Sequence, residues 1–350
     1  MSYPLLFNDV LHEKVWGGNK LKEVFNKNTL SDCIGESWEI SCHENGMSVI
    51  TNGEYKGKTL KEVIDQNKQL ILGESFKDVS KFPLLVKILD ATDKLSIQVH
   101  PDDDFAKENE NGELGKCEMW YIIEAKEGAK LVVGTKPGVA KEEFKSAALE
   151  GRLNSYIEEI EVKKGDVINI PAGMLHAIEE GIILAEIQQN SDTTYRVYDW
   201  NRGVEEGNPR ELHIDKALQV IDFEKGNSNV KVKGLPIKVD DSVYTYYIAN
   251  KYFAFEKIEL HGKVTEDTKK IKFYLYTCTV GEGIIKYKEG EIKFNKGVSF
   301  MIPSNLGSYS IVGEAILLKS YIPNIEKDFI EPLINAGYSK MQINDSIGLN

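Results

Sequence analysis

Short segments in which polar and apolar residues alternate recur along much of this 350-residue chain. They are rich in β-branched and aromatic residues and are separated by turn residues, a pattern typical of β-sandwiches and β-barrels. A chain of this length has room for one or two such domains. Strands are predicted at 95–99, 118–123, 130–133, 167–170, 182–187, 244–249, 272–277, 283–287, 299–302 and 315–318.

Three segments between the strands have helical patterns instead. Residues 59–72 and 140–157 carry apolar residues at helical spacing. A third helix is predicted to begin at Asn208, a suitable N-cap, with Pro209 in the first helical position, and to end near Asp222. The sequence therefore predicts an all-β protein with helical insertions.

A short repeat links two distant parts of the chain. The segments 165–171 (GDVINIP) and 297–303 (GVSFMIP) each contain a turn glycine, a short strand and a proline six residues after the glycine. A duplicated unit would explain this match, but common turn chemistry also produces it, and the sequence leaves both open. The first copy continues to His176, where the second reaches Ser308. The polar residues 225–233 are the predicted boundary between the two parts.

The acidic composition limits the kinds of partner. The net charge is -12, from 43 Lys and Arg against 55 Asp and Glu. This charge opposes broad binding to nucleic acid or to an anionic membrane, but it leaves room for a local basic pocket. The four cysteines form no CxxC pair, and no run of about 18 apolar residues is present for a membrane-spanning helix. We therefore expect a cytoplasmic protein with reduced thiols, a small-molecule ligand, no nucleic-acid or membrane partner, and no implied protein partner.

Four residues are spaced so that they can meet at one metal ion. Gln98 and His100 are two apart on a predicted strand and so project from the same face. Glu118 begins another strand, and His176 follows a turn. Two imidazoles, a carboxylate and an amide oxygen suit a borderline ion such as zinc, with a position left for water or substrate. Taken singly, each histidine is also explained by a structural hydrogen bond.

Five short motifs follow one another along the central part of the chain. They are 98–103 (QVHPDD), 115–120 (GKCEMW), 171–177 (PAGMLHA), 188–199 (QQNSDTTYRVYD) and 209–213 (PRELH). In this order they resemble the motifs of the type I mannose-6-phosphate isomerases in their short bacterial form, a family of the cupin superfamily. The resemblance covers roughly residues 3–322.

The resemblance implies two cupin (jelly-roll) barrels with helical insertions. Residues 1–224 would form a catalytic barrel and 235–322 a second barrel without metal, while 323–350 form an extension to which no role is assigned. The implied enzyme interconverts mannose 6-phosphate and fructose 6-phosphate by moving a proton between C1 and C2 through an enediolate. One zinc ion per chain would be held by Gln98, His100, Glu118 and His176.

The same resemblance implies roles for charged residues. Arg196 matches the arginine assigned to catalysis, and Lys116 and Asp192 match further polar positions of the site. Lys116 is a candidate for the base that moves the proton, and a zinc-bound hydroxide is the alternative. The phosphate group needs a cationic clamp, for which the candidates are Lys87, Lys136, Arg202 and Arg210.

Two other functions fit some of the same residues. His100, Glu118 and His176 also make up a triad of the kind that binds ferrous iron in oxygenases. A sugar-phosphate-binding regulator built on an inactive barrel is the other alternative, and it predicts ligand binding without turnover. Within the isomerases, the sequence does not distinguish mannose 6-phosphate from glucose 6-phosphate as the substrate.

Overall fold

The predicted all-β class is confirmed. The computed structural model describes residues 2–76, 79–204, 207–224 and 230–349, and strands make up most of its regular structure. The strands as far as residue 232 are β1 (Leu5–Leu6), β2 (Val10–Gly18), β3 (Ile34–Ile40), β4 (Cys42–His43), β5 (Gly46–Met47), β6 (Leu84–Ala91), β7 (Ile97–Val99), β8 (Glu118–Ala125), β9 (Lys130–Thr135), β10 (Ile157–Glu161), β11 (Val167–Ile170), β12 (His176–Ile178), β13 (Ile182–Gln189), β14 (Tyr195–Tyr198) and β15 (Lys231–Val232).

The later strands are longer, and the helices are short. The remaining strands are β16 (Leu235–Val239), β17 (Ser242–Ala249), β18 (Ala254–Asp267), β19 (Tyr274–Tyr287), β20 (Gly290–Asn295), β21 (Ser299–Ile302), β22 (Ser308–Tyr321) and β23 (Gly348–Leu349). The α-helices are α1 (Lys20–Phe25), α2 (Leu60–Leu72), α3 (Asp103–Asn109), α4 (Lys141–Leu149), α5 (Ile214–Val220), α6 (Glu331–Asn335) and α7 (Lys340–Ser346). Among the described residues, no helix is both long and apolar enough to cross a membrane.

Two antiparallel sheets face each other in the first half of the chain. The smaller sheet has the order β10-β9-β12-β7-β14, and the larger has the order β15-β11-β8-β13-β6-β3-β2. Their facing sides share one buried apolar cluster, to which Leu131 and Ile178 contribute from the smaller sheet and Trp120 and Leu184 from the larger. We call this sandwich the first barrel.

The outer face of the larger sheet packs against the second half of the chain. One buried cluster joins Met119 and Val86 of this sheet to Phe255, Leu275 and Leu318 of β18, β19 and β22. Burial on both faces explains why β6 and β13 are buried along their whole length. The first barrel is thus fixed directly to the second half.

The second half forms a separate sheet, which we call the second barrel. Its main path is β1-β21-β19-β22-β18-β17-β16, with β20 paired to β19 and β23 paired to β17. Its own core includes Ile258, Tyr276, Phe300 and Leu317. The predicted division into 1–224 and 235–322 stays a prediction, but β1 of the first part pairs with β21 of the second. β15, which lies in the predicted boundary, pairs with β11 of the first part. Of the predicted boundary, residues 225–229 lie outside the described residues.

Several predicted element boundaries are wrong. The helix predicted from Asn208 starts only at Ile214. The helix predicted over 140–157 ends at Leu149, because the chain there turns through Leu153–Ser155 into β10. The strands predicted at 272–277 and 283–287 are one strand, β19, with an irregularity between Cys278 and Val280. The predicted strands begin at residue 95 and leave out β2, β3 and β6, which lie before it.

The C-terminal extension packs on the second barrel. A π-helical turn at Glu326–Ile330 leads into α6, and β23 pairs in parallel with β17. Phe329, Leu333 and Ile343 are buried in one cluster with Ala254 and Tyr321 of the second barrel. Residues 323–349 are therefore a structural part of that barrel.

Candidate active site

A cavity of about 310 Å³ opens between the two sheets of the first barrel. This volume, with a lining of charged side chains, suits a small polar molecule. The polar lining comes from or beside strands of both sheets and includes Lys14, Glu36, Lys87, Gln98, Lys116, His176, Glu186, Asp192, Arg196 and Arg210.

Strand pairing brings three of the predicted site residues side by side. Gln98 on β7 lies opposite His176 on β12 and also opposite Arg196 on β14. Directly paired residues of neighbouring antiparallel strands project from the same face of the sheet. The three side chains therefore form one row that faces the cavity.

Three of the four predicted metal ligands form a buried cluster. Ligand atoms of His100, Glu118 and His176 all lie within 4.8 Å of one another. Nε2 of His100 is 3.6 Å from one carboxylate oxygen of Glu118, and Nε2 of His176 is 3.4 Å from the other. The side-chain amide of Gln98 joins them, with its nitrogen 3.4 Å from Nε2 of His176.

Backbone contacts orient both imidazoles. Nδ1 of His100 is 2.8 Å from the carbonyl oxygen of Thr193, and Nδ1 of His176 is 2.8 Å from that of Met174. A carbonyl only accepts, so each Nδ1 carries the proton and each Nε2 offers a lone pair to the centre. Such backbone contacts commonly fix the tautomer of metal-binding histidines.

Burial disfavours the charged forms of His100, His176 and Glu118. Desolvation lowers the pKa of His176 to about 4 and the pKa of His100 well below its usual value, with the Lys116 ammonium contributing to both. Desolvation and then the nearby Glu186 carboxylate raise the pKa of Glu118. Neither oxygen of Glu118 accepts a hydrogen bond of good geometry from the described residues. A buried carboxylate and two neutral imidazoles, with ligand atoms within 4.8 Å of one another, fit a divalent cation.

A second set of charges, which the sequence analysis missed in part, lies across the larger sheet. Glu186 pairs in register with Lys87 on one side and Trp120 on the other. Its carboxylate is 3.2 Å from the Lys87 ammonium and accepts a 2.9 Å hydrogen bond from Trp120. The available signal was a glutamate inside the otherwise apolar stretch IILAEI. Glu36 completes this set, 3.9 Å from the Lys87 ammonium.

The contacts among Lys87, Glu186 and Glu36 keep these three side chains ionised. Burial disfavours the charged ammonium of Lys87, but the carboxylates of Glu186 and Glu36 outweigh it and raise its pKa. Burial likewise opposes ionisation of Glu36, but Lys87 and Lys14 lower its pKa to about 2. Lys116 bridges this set and the metal-ligand cluster, since its ammonium lies 2.7 Å from Glu118 and 4.0 Å from Glu186.

Two of the predicted arginines, Arg196 and Arg210, line the cavity. Arg196 is half-buried, and its guanidinium is anchored by the Glu211 carbonyl at 2.9 Å and the Ser96 hydroxyl at 3.3 Å. Arg210 also faces the cavity, where Asp199 binds its guanidinium through two nitrogens.

Two predicted substrate-binding residues lie outside the cavity lining. Arg202 donates to Asp199 and to the Lys94 carbonyl, both at 2.6 Å. Lys136 is exposed beyond the end of β9. Asp192, in contrast, lies exposed at the cavity rim and accepts a 3.1 Å hydrogen bond from Asn45.

Comparisons with known proteins agree on one family. The sequence model of the type I phosphomannose isomerase catalytic domain matches residues 5–133, and the model of the mannose-6-phosphate isomerase cupin domain matches residues 242–322. A probable mannose-6-phosphate isomerase of Bacillus subtilis, GmuF, is 39% identical over 92% of this chain and 100% of its own length. The mannose-6-phosphate isomerase of Streptococcus mutans is 37% identical over 92% of this chain and 99% of its own. The crystal structure of a Bacillus subtilis mannose 6-phosphate isomerase superposes with a TM-score of 0.85 at 35% identity, over 91% of this chain and 99% of that one.

Proposed function

The chain belongs to the type I mannose-6-phosphate isomerases, and from that premise we propose that it interconverts mannose 6-phosphate and fructose 6-phosphate with the help of one zinc ion. The observation that carries the proposal is the buried cluster of His100, Glu118 and His176, whose His176 lines a cavity that is also lined with lysines and arginines. The cluster supplies metal ligands, and the basic lining suits a phosphorylated sugar.

The proposed metal ligands are Gln98, His100, Glu118 and His176. The chemistry of the donor set supports zinc, which binds imidazole and carboxylate together. When bound, the ion would supply Lewis-acid stabilisation of the negative charge that develops on the sugar oxygens. The backbone carbonyls behind both imidazoles hold their Nε2 atoms toward the common centre.

The isomerisation requires a group that removes a proton from one carbon of the open-chain sugar and returns it to the other, with an enediolate between the two steps. Lys116 is the proposed base. Its ammonium lies 3.1 Å from Nε2 of His100 and 2.7 Å from Glu118. It is therefore held beside the proposed ligands, where the reacting carbons would lie. In its neutral form the Lys116 amine would accept the proton from one carbon, and the ammonium formed in that step would return it to the other.

Arg196 is proposed to hold the charge on the enediolate oxygens. The Glu211 carbonyl and the Ser96 hydroxyl hold the guanidinium in place before substrate binds. A charged donor that is already fixed in position stabilises a transition state most strongly. Asp192, at the rim, is placed to accept a hydrogen bond from a sugar hydroxyl.

Lys87 and Arg210 are the proposed phosphate-binding residues, because both are cationic and face the cavity. Arg210 is held in place by Asp199, and Lys87 by Glu186. The positions of Lys136 and Arg202 outside the lining give no support to the substrate-binding roles expected for them.

The test is formation of fructose 6-phosphate from mannose 6-phosphate by the purified chain, measured before chelation, after chelation and after zinc is restored. We expect activity that disappears and returns. A folded, metal-loaded protein without turnover would overturn the proposal. Oxygen consumption with ferrous iron would then support the oxygenase alternative, and binding of mannose 6-phosphate without turnover would support the regulator.

A further inference from the structure

The second barrel contains a cavity of its own, of about 310 Å³. Four tyrosines line it, and a buried lysine lies between two glutamates beneath them. These residues are Tyr244, Tyr246, Tyr274, Tyr321, Lys319, Glu256 and Glu266.

The repeated segments show where this cavity lies relative to the first one. Residue 168 of the first copy corresponds to residue 300 of the second. The first copy forms β11, which lies beside β8, and the second copy forms β21, which lies beside β19. Ile168 pairs with Trp120, and Phe300 pairs with Tyr276. The pairing favours duplication as the origin of the repeat.

The correspondence continues across both sheets. In the first barrel, the row runs from Trp120 through Glu186 and Lys87 to Trp38. In the second barrel, the matching row runs through Tyr276, Lys319, Glu256 and Tyr246. Each row holds a buried acid–base pair between two aromatic residues, and the acid and the base have exchanged places. The second cavity therefore lies where the first barrel has its candidate active site.

Two of the proposed metal ligands, Glu118 and His176, have no counterparts in the second barrel. Ile170 pairs with Glu118, whereas the corresponding Ile302 pairs with Tyr274. A phenol thus stands where the first barrel has its carboxylate ligand. The position of His176 is taken by Ser308. The second cavity lies at the corresponding place in its barrel, but it carries phenol hydroxyls where the first cavity carries metal ligands.

The charges in the second cavity balance one another. The Lys319 ammonium lies 2.9 and 2.7 Å from the two carboxylate oxygens of Glu266, and 3.6 Å from the nearer oxygen of Glu256. Lys272, just beyond them, is paired with Asp328. The remaining lysine of the lining, Lys327, is exposed, so no buried cation among the described residues of this cavity is left for a phosphate group. A neutral ligand fits better than an anionic one.

Two hydroxyl groups in this cavity have no partner. Tyr246 and Tyr274 are partly buried, and their hydroxyls make no hydrogen bond with the described residues. The Lys319 ammonium lies 4.5 Å from the centre of the Tyr274 ring, so this ring is held in place. Tyrosine offers an apolar face and a polar tip, a combination that suits the C–H faces and hydroxyls of a sugar.

The C-terminal extension forms the outer wall of the cavity. Lys327, Asp328 and Pro332 all line it, whereas the matched cupin-domain model ends at residue 322. The segment is held against the barrel by Phe329, which is fully buried. The extension thus gives the second barrel a wall that the matched family region does not supply.

We propose that the second barrel binds a small, neutral polyhydroxyl compound, such as an unphosphorylated hexose or a hexitol, in this tyrosine-lined cavity. The ligand stacks on the tyrosine rings, and its hydroxyls bond to Tyr246, Tyr274 and the carboxylates around Lys319. This site is separate from the isomerase cavity, so either proposal can fail without the other.

The test is saturation-transfer NMR on the full chain with D-mannose, D-fructose and mannitol as probes. Mannose 6-phosphate is present throughout at a saturating concentration, so that the first cavity is occupied. We expect transfer to at least one neutral probe under these conditions. Absence of transfer to all three probes would overturn the proposal.

A double variant locates the binding. Tyr246→Phe with Tyr274→Phe keeps both rings and removes two hydroxyls that have no protein partner, so the fold is unaffected. Loss of two hydrogen bonds to the ligand should weaken binding about tenfold, while isomerase activity stays unchanged. Tyr338→Phe is the matched control, because its hydroxyl bonds to the Pro236 carbonyl outside the cavity. Equal affinity in the double variant and the parent chain would show that the site is wrong.

Discussion

Replacement of Arg196 by alanine separates catalysis from metal binding. The arginine donates to the Glu211 carbonyl and the Ser96 hydroxyl, and it makes no hydrogen bond to His100 or Glu118. The Arg196→Ala variant should therefore keep its metal. Removal of a fixed donor to a developing oxyanion costs about 2.7–4 kcal/mol, which corresponds to a loss of about 10²- to 10³-fold in kcat.

The assay combines turnover with metal content. Fructose 6-phosphate formation gives kcat and KM, and elemental analysis gives the zinc bound per chain. We expect Arg196→Ala to lose kcat with near-normal zinc. His176→Ala should lose both, because it removes a proposed ligand. This difference distinguishes a catalytic role from a structural one.

A surface arginine provides the control. The side chain of Arg152 is 58% exposed and pairs with Glu150, which is 52% exposed. Arg152→Ala should leave both kcat and zinc content unchanged, because exposed ion pairs contribute little. Turnover of Arg196→Ala within a few-fold of the parent enzyme would refute the catalytic assignment, and loss of zinc would refute the separation of the two functions.

Two further predictions concern stability. The Lys27 ammonium is buried between Glu39 at 2.8 Å and the Gly297 carbonyl at 2.7 Å, so Lys27→Met should cost about 3–5 kcal/mol by leaving a buried carboxylate unpaired. Lys61→Met, in an exposed helical pair, should leave the free energy of unfolding nearly unchanged, and equal urea midpoints for the two variants would contradict this reasoning. Because the folded pKa of Glu36 is about 2 against 4.5 for the free group, its ionisation stabilises the fold above pH 4.5 and ceases to do so as the pH falls toward 2. Glu36→Gln should therefore reduce the loss of stability over this window in acid unfolding curves, and an unchanged slope would exclude the contribution.

The sequence by itself determined the class of fold and the main features of the proposed metal cluster. Alternation with period two is a local property, and it identified strands such as β11 and β21 to the residue. Gln98 and His100 share a face because of their spacing alone, and the motifs around Glu118 and His176 pointed to the same ion. The helix starts predicted at 59 and 140 lie within one residue of those of α2 and α4. The third start was wrong, because the N-cap chemistry of Asn208 and Pro209 also suits the irregular chain that the structure has there.

Only the tertiary structure decided which charges meet. The register of strands far apart in sequence places Glu186 between Lys87 and Trp120, and a slip of one residue would turn each side chain to the opposite face. Tertiary packing places Arg210, which is held by Asp199, in the lining of the cavity, whereas Arg202 and Lys136 lie outside the lining. The register of the strands also shows that the acid–base row of the first barrel corresponds to that of the second, although the two rows contain different residues. Cross-strand partners and burial are set by the packing of whole sheets, and no single segment of sequence contains that information.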